Sequence, residues 1–181
     1  MDLFTLLISS PLVWVTIIVL YTLKKGIHFV PQNRGYVIYT LGKYDKTLKA
    51  GLNFIIPFIQ SVAADRNLKE QSLDIMSQSA ITRDNITLGI DGILFMKVTD
   101  AAAATNNIND YKMAVTQLAM TTMRNAIGSL ELDECFQNRD LINTKILGAM
   151  TEATGPWGVM VTRYEIKDII PPQSIREDME K

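Results

Sequence analysis

A single histidine and a single cysteine bound the catalysis open to this 181-residue chain. A serine or cysteine nucleophile needs a base within hydrogen-bond reach, most often a histidine. His28 stands only three residues past Lys25, at the end of a long apolar run. Cys135 lies between Glu134 and Phe136, where the neighbouring acid raises a thiol pKa rather than lowering it. Both read as structural residues. The same counts exclude a disulfide framework and a Cys/His metal site closed within one chain. Carboxylates are plentiful, yet no pair stands in the apolar setting that general acid–base work requires. Gly89 and Gly92 fall inside a strand pattern and no G-x-x-x-x-G-K occurs, so no phosphate-cradling loop is present. Met113, Met120 and Met123 lie along one helix and read as core. No catalytic set, metal or cofactor is expected.

The dominant element comes first instead. Residues Leu3 to Leu23 carry no charge and end at Lys24-Lys25. As an α-helix such a run reaches roughly 31 Å, the thickness of a bilayer's hydrocarbon core. Leu3, Phe4, Leu12, Val13, Ile17, Ile18 and Leu20 supply the apolar surface of this expected anchor, with Trp14 and Tyr21 as amphipathic rings. A cleaved signal peptide fits poorly: Asp2 precedes the run, two lysines follow it, and no small-residue cut site comes after. All 18 Lys and Arg follow the run. The positive-inside tendency therefore expects a single-pass protein with its main domain in the cytoplasm. Pro11 leaves a second topology open, a shallow hairpin that enters and leaves by one face.

The formal net charge of −1 hides an asymmetry. Between Lys24 and Lys49 six basic residues, Lys24, Lys25, Arg34, Lys43, Lys46 and Lys49, face Asp45 alone. From Ala50 onward acidic residues outnumber basic ones, seventeen to twelve. A basic collar beside an anchor suits anionic lipid headgroups, at about 1 kcal/mol per charge. The same residues also suit an ordinary solvated patch. Nucleic acid is disfavoured, because the basic stretch adjoins the membrane run and the distal part is acidic.

The remaining chain reads as α+β, sheet first and helices later. Tyr36 to Leu41 is a strand stopping at Gly42, and Lys43 to Ala50 a polar hairpin or loop. Leu52 to Ile59 is an apolar run broken by Pro57: an edge or core strand, an irregular segment, or a segment dipping into headgroups. Ser61 to Asp65 and Leu68 to Ser79 are further strands, and Arg83 to Asn85 a turn. In Thr87 to Val98, residues Leu88, Ile90, Leu94, Met96 and Val98 share one face. Asp100 caps an alanine-rich start. A helix over Asn109 to Ile127 presents Tyr111, Val115, Leu118, Ala119, Thr122 and Ala126. One helical turn is expected at Leu132 to Phe136. A helix from Asn138 to about Ala153 presents Leu141, Ile142, Ile146 and Ala149, and Val159 to Ile169 is a last strand. After Pro171-Pro172, Ser174 and Glu177 have capping-box spacing, so a helix is announced that is expected either to pack on something else or, the favoured reading, to continue in a longer chain.

Several short motifs stand in a telling order. Phe29-Val-Pro-Gln-Asn-Arg-Gly35, Leu41-Gly-Lys-Tyr44, Thr47-Leu-Lys-Ala-Gly-Leu52 and Phe54-Ile-Ile-Pro-Phe58 come first. Leu73-Asp-Ile75, Thr82-Arg-Asp-Asn85, Leu132-Asp-Glu134, Arg139-Asp-Leu-Ile-Asn143, Trp157-Gly-Val159 and Glu165-Ile-Lys-Asp-Ile-Ile-Pro171 follow. Together they resemble the stomatin/prohibitin/flotillin/HflK-HflC family, also called SPFH or band 7, and within it the bacterial stomatin-like (paraslipin/QmcA) branch. Met76 and Ala101 depart from it where proline is common.

The resemblance implies an anchor over residues 1–25 and an SPFH1-like membrane-proximal subdomain over 26–99. An SPFH2-like subdomain over 100–170 follows, then a hinge and the start of an oligomerisation helix over 171–181. It implies a non-catalytic scaffold of the bacterial inner membrane that binds membrane lipid and assembles with itself into rings or cages. Partners such as membrane-bound AAA proteases or NfeD-type proteins are implied as well. A monomeric lipid-binding module and a membrane-bound enzyme are the competing classes.

Overall fold

A computed structural model describes residues 11–172. The chain divides into two compact units, Met1–Asn67 and Leu68–Lys181.

The first unit opens with helix α1, Pro11–Gly26, which has no acidic residue in its first turn and Lys24 and Lys25 in its last. Cations there sit against the carbonyl end of the helix dipole. At 16 residues α1 is roughly 24 Å long. Among the described residues no helix is long and apolar enough to cross a membrane. Leu3 and Phe4, with the rest of the expected span before Pro11, lie outside the described residues. Gly26 ends the helix because backbone crosses it closely. The Ile55 N–H donates to the Gly26 carbonyl at 2.8 Å, and a Cβ at residue 26 would lie 2.7 Å from the Ile55 carbonyl oxygen.

Five strands complete this unit. β1 (Ile27–Val30) pairs antiparallel with β4 (Gly51–Phe54), while β2 (Arg34–Thr40) is the centre of a sheet ordered β3-β2-β5. β3 is Lys43–Leu48 and β5 is Gln60–Asn67. Val30, Ile38, Leu48 and Ile55 form the core, with Tyr36 packed against it. One expectation is corrected here and another narrowed. Lys43 to Leu48 is a single strand paired with β2 rather than a hairpin or loop of its own, because the chain reverses within Leu41-Gly42 alone. Its polarity hid it: Lys43 through Lys46 face solvent and Leu48 is its one buried apolar residue. The run from Leu52 to Ile59 is strand only as far as Phe54, and Ile55 is its one buried side chain.

The second unit is one antiparallel sheet, β6-β7-β8, with helices against it. β6 is Gln71–Ile81, β7 Thr87–Val98 and β8 Val159–Ile170. The expected alternation along β7 holds, with Leu88, Ile90, Leu94, Met96 and Val98 buried on one face. Helices α2 (Ala103–Asn106), α3 (Tyr111–Gly128), α4 (Leu132–Gln137) and α5 (Arg139–Thr154) lie between β7 and β8 in the chain. Asp110 starts α3 by accepting from the backbone N–H groups of Lys112 and Met113 at 3.0 and 3.1 Å.

The buried row of α3 is Tyr111, Val115, Ala119, Met123 and Ile127. Leu118, Thr122 and Ala126, expected on that stripe, are its half-buried flank. The buried row of α5 is Ile142, Ile146, Met150 and Thr154, while Leu141 and Ala149 are exposed. In both helices the core follows the steeper row of every fourth residue. The partner is a twisted sheet, and such rows cross the helix axis at an angle.

The chain divides at Asn67/Leu68 rather than at residue 99. β6 pairs with β7 and β7 with β8, so strands read as part of the first subdomain share the second unit's sheet. The helix announced at Ser174 lies outside the described residues.

Candidate membrane-facing surface

Leu41 and Phe58 are large apolar residues held where large apolar residues are costly. Leu41 has φ 50° and Gly42 φ 83°, the pattern of a two-residue hairpin turn that normally takes Asn or Gly. Phe58 has φ 73°. Left-handed backbone costs an L-residue roughly 1–2 kcal/mol. Neither side chain recovers that cost by packing, since they are 82% and 79% exposed. Backbone strain without a folding benefit points to a role at the surface.

A polar network holds the two tips together. Leu41 N–H donates to the Ile59 carbonyl at 3.0 Å. Gln60 donates its side-chain amide to Asp45 at 2.9 Å, and Asp45 also accepts from the Thr40 hydroxyl at 3.0 Å. Phe54, Ile56 and Ile59 add further exposed apolar side chains along the same loop. On the β1–β4 ribbon, antiparallel pairing places Ile27 opposite Phe54 and Phe29 opposite Leu52, and all four are exposed. Directly opposed residues share a face. Contiguous exposed apolar surface of this kind marks an interaction site.

The end of α1 sits within this surface. A cavity of about 500 Å³ is lined by Lys25, His28, Leu41 and Phe58 together with the Ile55–Ile59 loop. The Lys25 ammonium lies 5.5 Å from the Phe58 ring centroid and 5.9 Å from that of Tyr21. A second cavity, about 290 Å³, is lined by Thr22, Gly26, Phe54, Ile55, Ile56 and Pro57. Along α1, Trp14, Ile17, Leu20 and Tyr21 are exposed and Val13 is half-buried, while Leu12 and Ile18 belong to the same helix.

The six basic residues are not brought into one ring. Lys24 and Lys25 end α1, and Lys43 follows the Leu41-Gly42 tip. Lys46 stands opposite Ile38, and Lys49 follows β3. Arg34 is at the other end of β2, roughly 20 Å from Thr40 by strand rise, and pairs with Asp65. The sequence places no expectation of exposure on Leu41, Phe29 or Ile27, whereas Phe58 lies in the run for which a headgroup-dipping segment is one reading. The Leu41-Gly42 pair, an apolar residue where a tight hairpin turn belongs, was the signal available.

Elsewhere the chemistry is quiet. Cys135 is fully buried, and burial, then the charges of Asp84 and Glu134, push its thiol pKa up. Of the three methionines read as core, Met123 is buried, Met120 half-buried and Met113 exposed. Among the described residues no three His, Cys, Asp or Glu are grouped to hold a metal.

These features define a mixed α+β protein of two small units whose distinguishing site is an exposed apolar surface at the end of a helix. The chain belongs to the SPFH domain / Band 7 family, which matches residues 28–181. It is 43% identical over 154 residues to Stomatin-like protein stl-1 of Caenorhabditis elegans, covering 85% of this chain and 48% of that protein. It is 41% identical over 152 residues to Stomatin-like protein 2, mitochondrial, of Homo sapiens, covering 84% and 43%. An uncharacterized protein of Mycobacterium bovis is 38% identical over 173 residues, covering 94% and 45%. The chain thus spans about half the length of the curated relatives it matches.

Proposed function

We propose that this chain is the membrane-seated part of a non-enzymatic scaffold that assembles with copies of itself and holds membrane partners. The observation that carries the reading is the exposed surface of Leu41, Phe54, Ile56 and Phe58 at the end of α1, where the Lys25 ammonium lies 5.5 Å from the Phe58 ring centroid. Burying one such side chain in a membrane interface gains about 1.5–3 kcal/mol, enough to exceed the strain at Leu41 and Phe58. In this reading the apolar run ending at Leu23 is a single-pass anchor in a bacterial inner membrane, and both units face the cytoplasm. Self-association into rings or cages marks out a microdomain, and membrane AAA proteases or NfeD-type proteins are the partners held there. Family membership and the absence of a nucleophile–base pair in the sequence support a scaffold over an enzyme.

Flotation with vesicles of phosphatidylcholine and phosphatidylglycerol tests the seating. The chain is expected to rise with the vesicles, and recovery in the bottom fraction at low and high salt alike overturns the reading. Subunit counting in native membranes separates the scaffold from a monomeric lipid-binding module.

A further inference from the structure

The cavity at the end of α1 combines features that the scaffold reading does not require. Its walls are mixed: Leu41, Ile55, Pro57, Phe58, Ile59 and Val62 supply apolar side chains, and Gln60 and Ser61 polar ones. Its ionisable groups are Lys25 and His28, and no carboxylate lines it. Lys25 makes no ion pair among the described residues; its ammonium rests over aromatic rings instead. His28 Nδ1 is sealed from solvent and has no hydrogen-bond partner among the described residues. A buried N–H without an acceptor is costly, which favours Nε2 over Nδ1 as the ring's N–H. Nε2 is then a donor. The amide of Gln60 is engaged with Asp45, and its Oε1 accepts the Ile56 N–H at 2.8 Å, so Gln60 shapes the wall rather than offering itself.

We propose that this cavity binds one phospholipid with an anionic headgroup, its phosphate held by Lys25 and His28 and its glycerol and first acyl carbons against Leu41, Phe58 and Ile59. The inference rests on the membrane reading above. A volume of about 500 Å³ lies within the range of small-molecule sites. The donors suit a phosphate diester. A choline headgroup finds neither a carboxylate nor an open aromatic face here, because the Lys25 ammonium already covers the ring of Phe58. The apolar side chains favour a lipid over a free anion, which would leave them wet. Lys24 is the internal control: it carries the same charge one residue away and does not line the cavity.

The test is native mass spectrometry of the full chain in detergent. The protein is equilibrated with equal amounts of phosphatidylglycerol and phosphatidylcholine of matched acyl chains. One phosphatidylglycerol per chain is expected to be retained in preference to phosphatidylcholine. Lys25→Gln with His28→Gln is expected to lower that retention about tenfold, the size of one lost charge-assisted hydrogen bond. Lys24→Gln and the charge-keeping Lys25→Arg are expected to retain the lipid. Equal retention of the two lipids overturns the proposal, as does a loss with Lys24→Gln matching that with Lys25→Gln. Displacement by millimolar glycerol phosphate also overturns it, by making the site one for soluble anions. Flotation separates the two levels. A wild-type chain that floats but retains both lipids equally overturns the lipid site and leaves the seating intact. A wild-type chain that fails to float overturns the seating, and this proposal with it.

Discussion

Gln60 closes a reciprocal pair with Ile56: its backbone N–H donates to the Ile56 carbonyl at 2.9 Å, and its side-chain Oε1 accepts the Ile56 N–H at 2.8 Å. The loop carrying Phe58 is thereby closed by one residue, through its backbone and its side chain. The amide nitrogen of the same side chain reaches Asp45 on β3 and ties the loop to the hairpin carrying Leu41. Gln60→Ala releases all of these side-chain bonds. It is expected to cost about 1 kcal/mol in urea unfolding, and to weaken vesicle association more than that loss of fold accounts for. Unchanged flotation would show that the clamp has no bearing on the surface.

Strain and membrane affinity should move in opposite directions at the two tips. Leu41→Gly and Phe58→Gly each relieve a left-handed non-glycine backbone, which favours the fold by about 1 kcal/mol, less the entropy that glycine adds to the unfolded chain. Each also removes an exposed apolar side chain. Thermal melts are expected to hold or rise while flotation falls. A fall in both would place these side chains in the folding core instead.

Gly92 stands in the middle of β7 because Tyr164 lies across it. A Cβ there would come within 2.5 Å of the phenol oxygen and 2.9 Å of Cζ. Gly92→Ala is expected to destabilise the second unit by about 1–3 kcal/mol, since a buried ring cannot retreat freely. Tyr164→Phe removes the closer atom, so the double variant should recover part of the loss. A double-mutant cycle by urea denaturation measures this coupling, and strict additivity would argue against the contact.

Tyr164 also sets an alkaline limit. Burial, and then the charge of Asp91, holds its phenol pKa well above the ordinary value, and its hydroxyl donates to Met123 Sδ at 2.9 Å. An acid whose pKa is raised on folding stabilises the native state fully below its unfolded pKa, about 10. That contribution is lost as pH rises beyond it. Denaturant midpoints are expected to fall above about pH 10 in the wild type. In Tyr164→Phe they should be lower at neutral pH and should fall less steeply with alkali.

Asp84 sets the opposite limit. The Thr82 hydroxyl, the Leu132 N–H and the charge of Arg83 hold its carboxyl below the usual range. A depressed carboxylate stabilises the fold above its unfolded pKa, and the benefit fades as pH falls below about 4. Asp84→Asn keeps an acceptor for Leu132 and removes the titration. Its urea midpoint is expected to be lower than wild type at pH 7 and to approach it as pH falls below about 4.

Much of the fold was legible in residue order, because local rules govern it. The alternation along Thr87–Val98 needed only the two-residue period of a strand. The helices over Tyr111–Gly128 and Arg139–Thr154 needed only apolar spacing and their flanking residues. The ordered set of short motifs carried the family, which residues 28–181 match.

The surface was not legible, because exposure belongs to what surrounds a residue rather than to its type. Leu41 reads as a strand end in a linear view, and Leu52 to Ile59 as a strand, an irregular segment or one that dips into headgroups; the pairing of β1 with β4 and the two positive-φ turns leave Leu41, Phe58, Phe29 and Leu52 uncovered. Two further features lay in contacts between residues distant along the chain. The division at Asn67/Leu68 depends on β8 closing the sheet begun by β6, and the lining of the cavity depends on the Ile55–Ile59 loop folding against the end of α1. Composition and spacing alone determined the apolar run, the shortage of nucleophile–base pairs and the order of elements. The tertiary fold decided which apolar side chains remain uncovered, since burial is a property of the assembled neighbours.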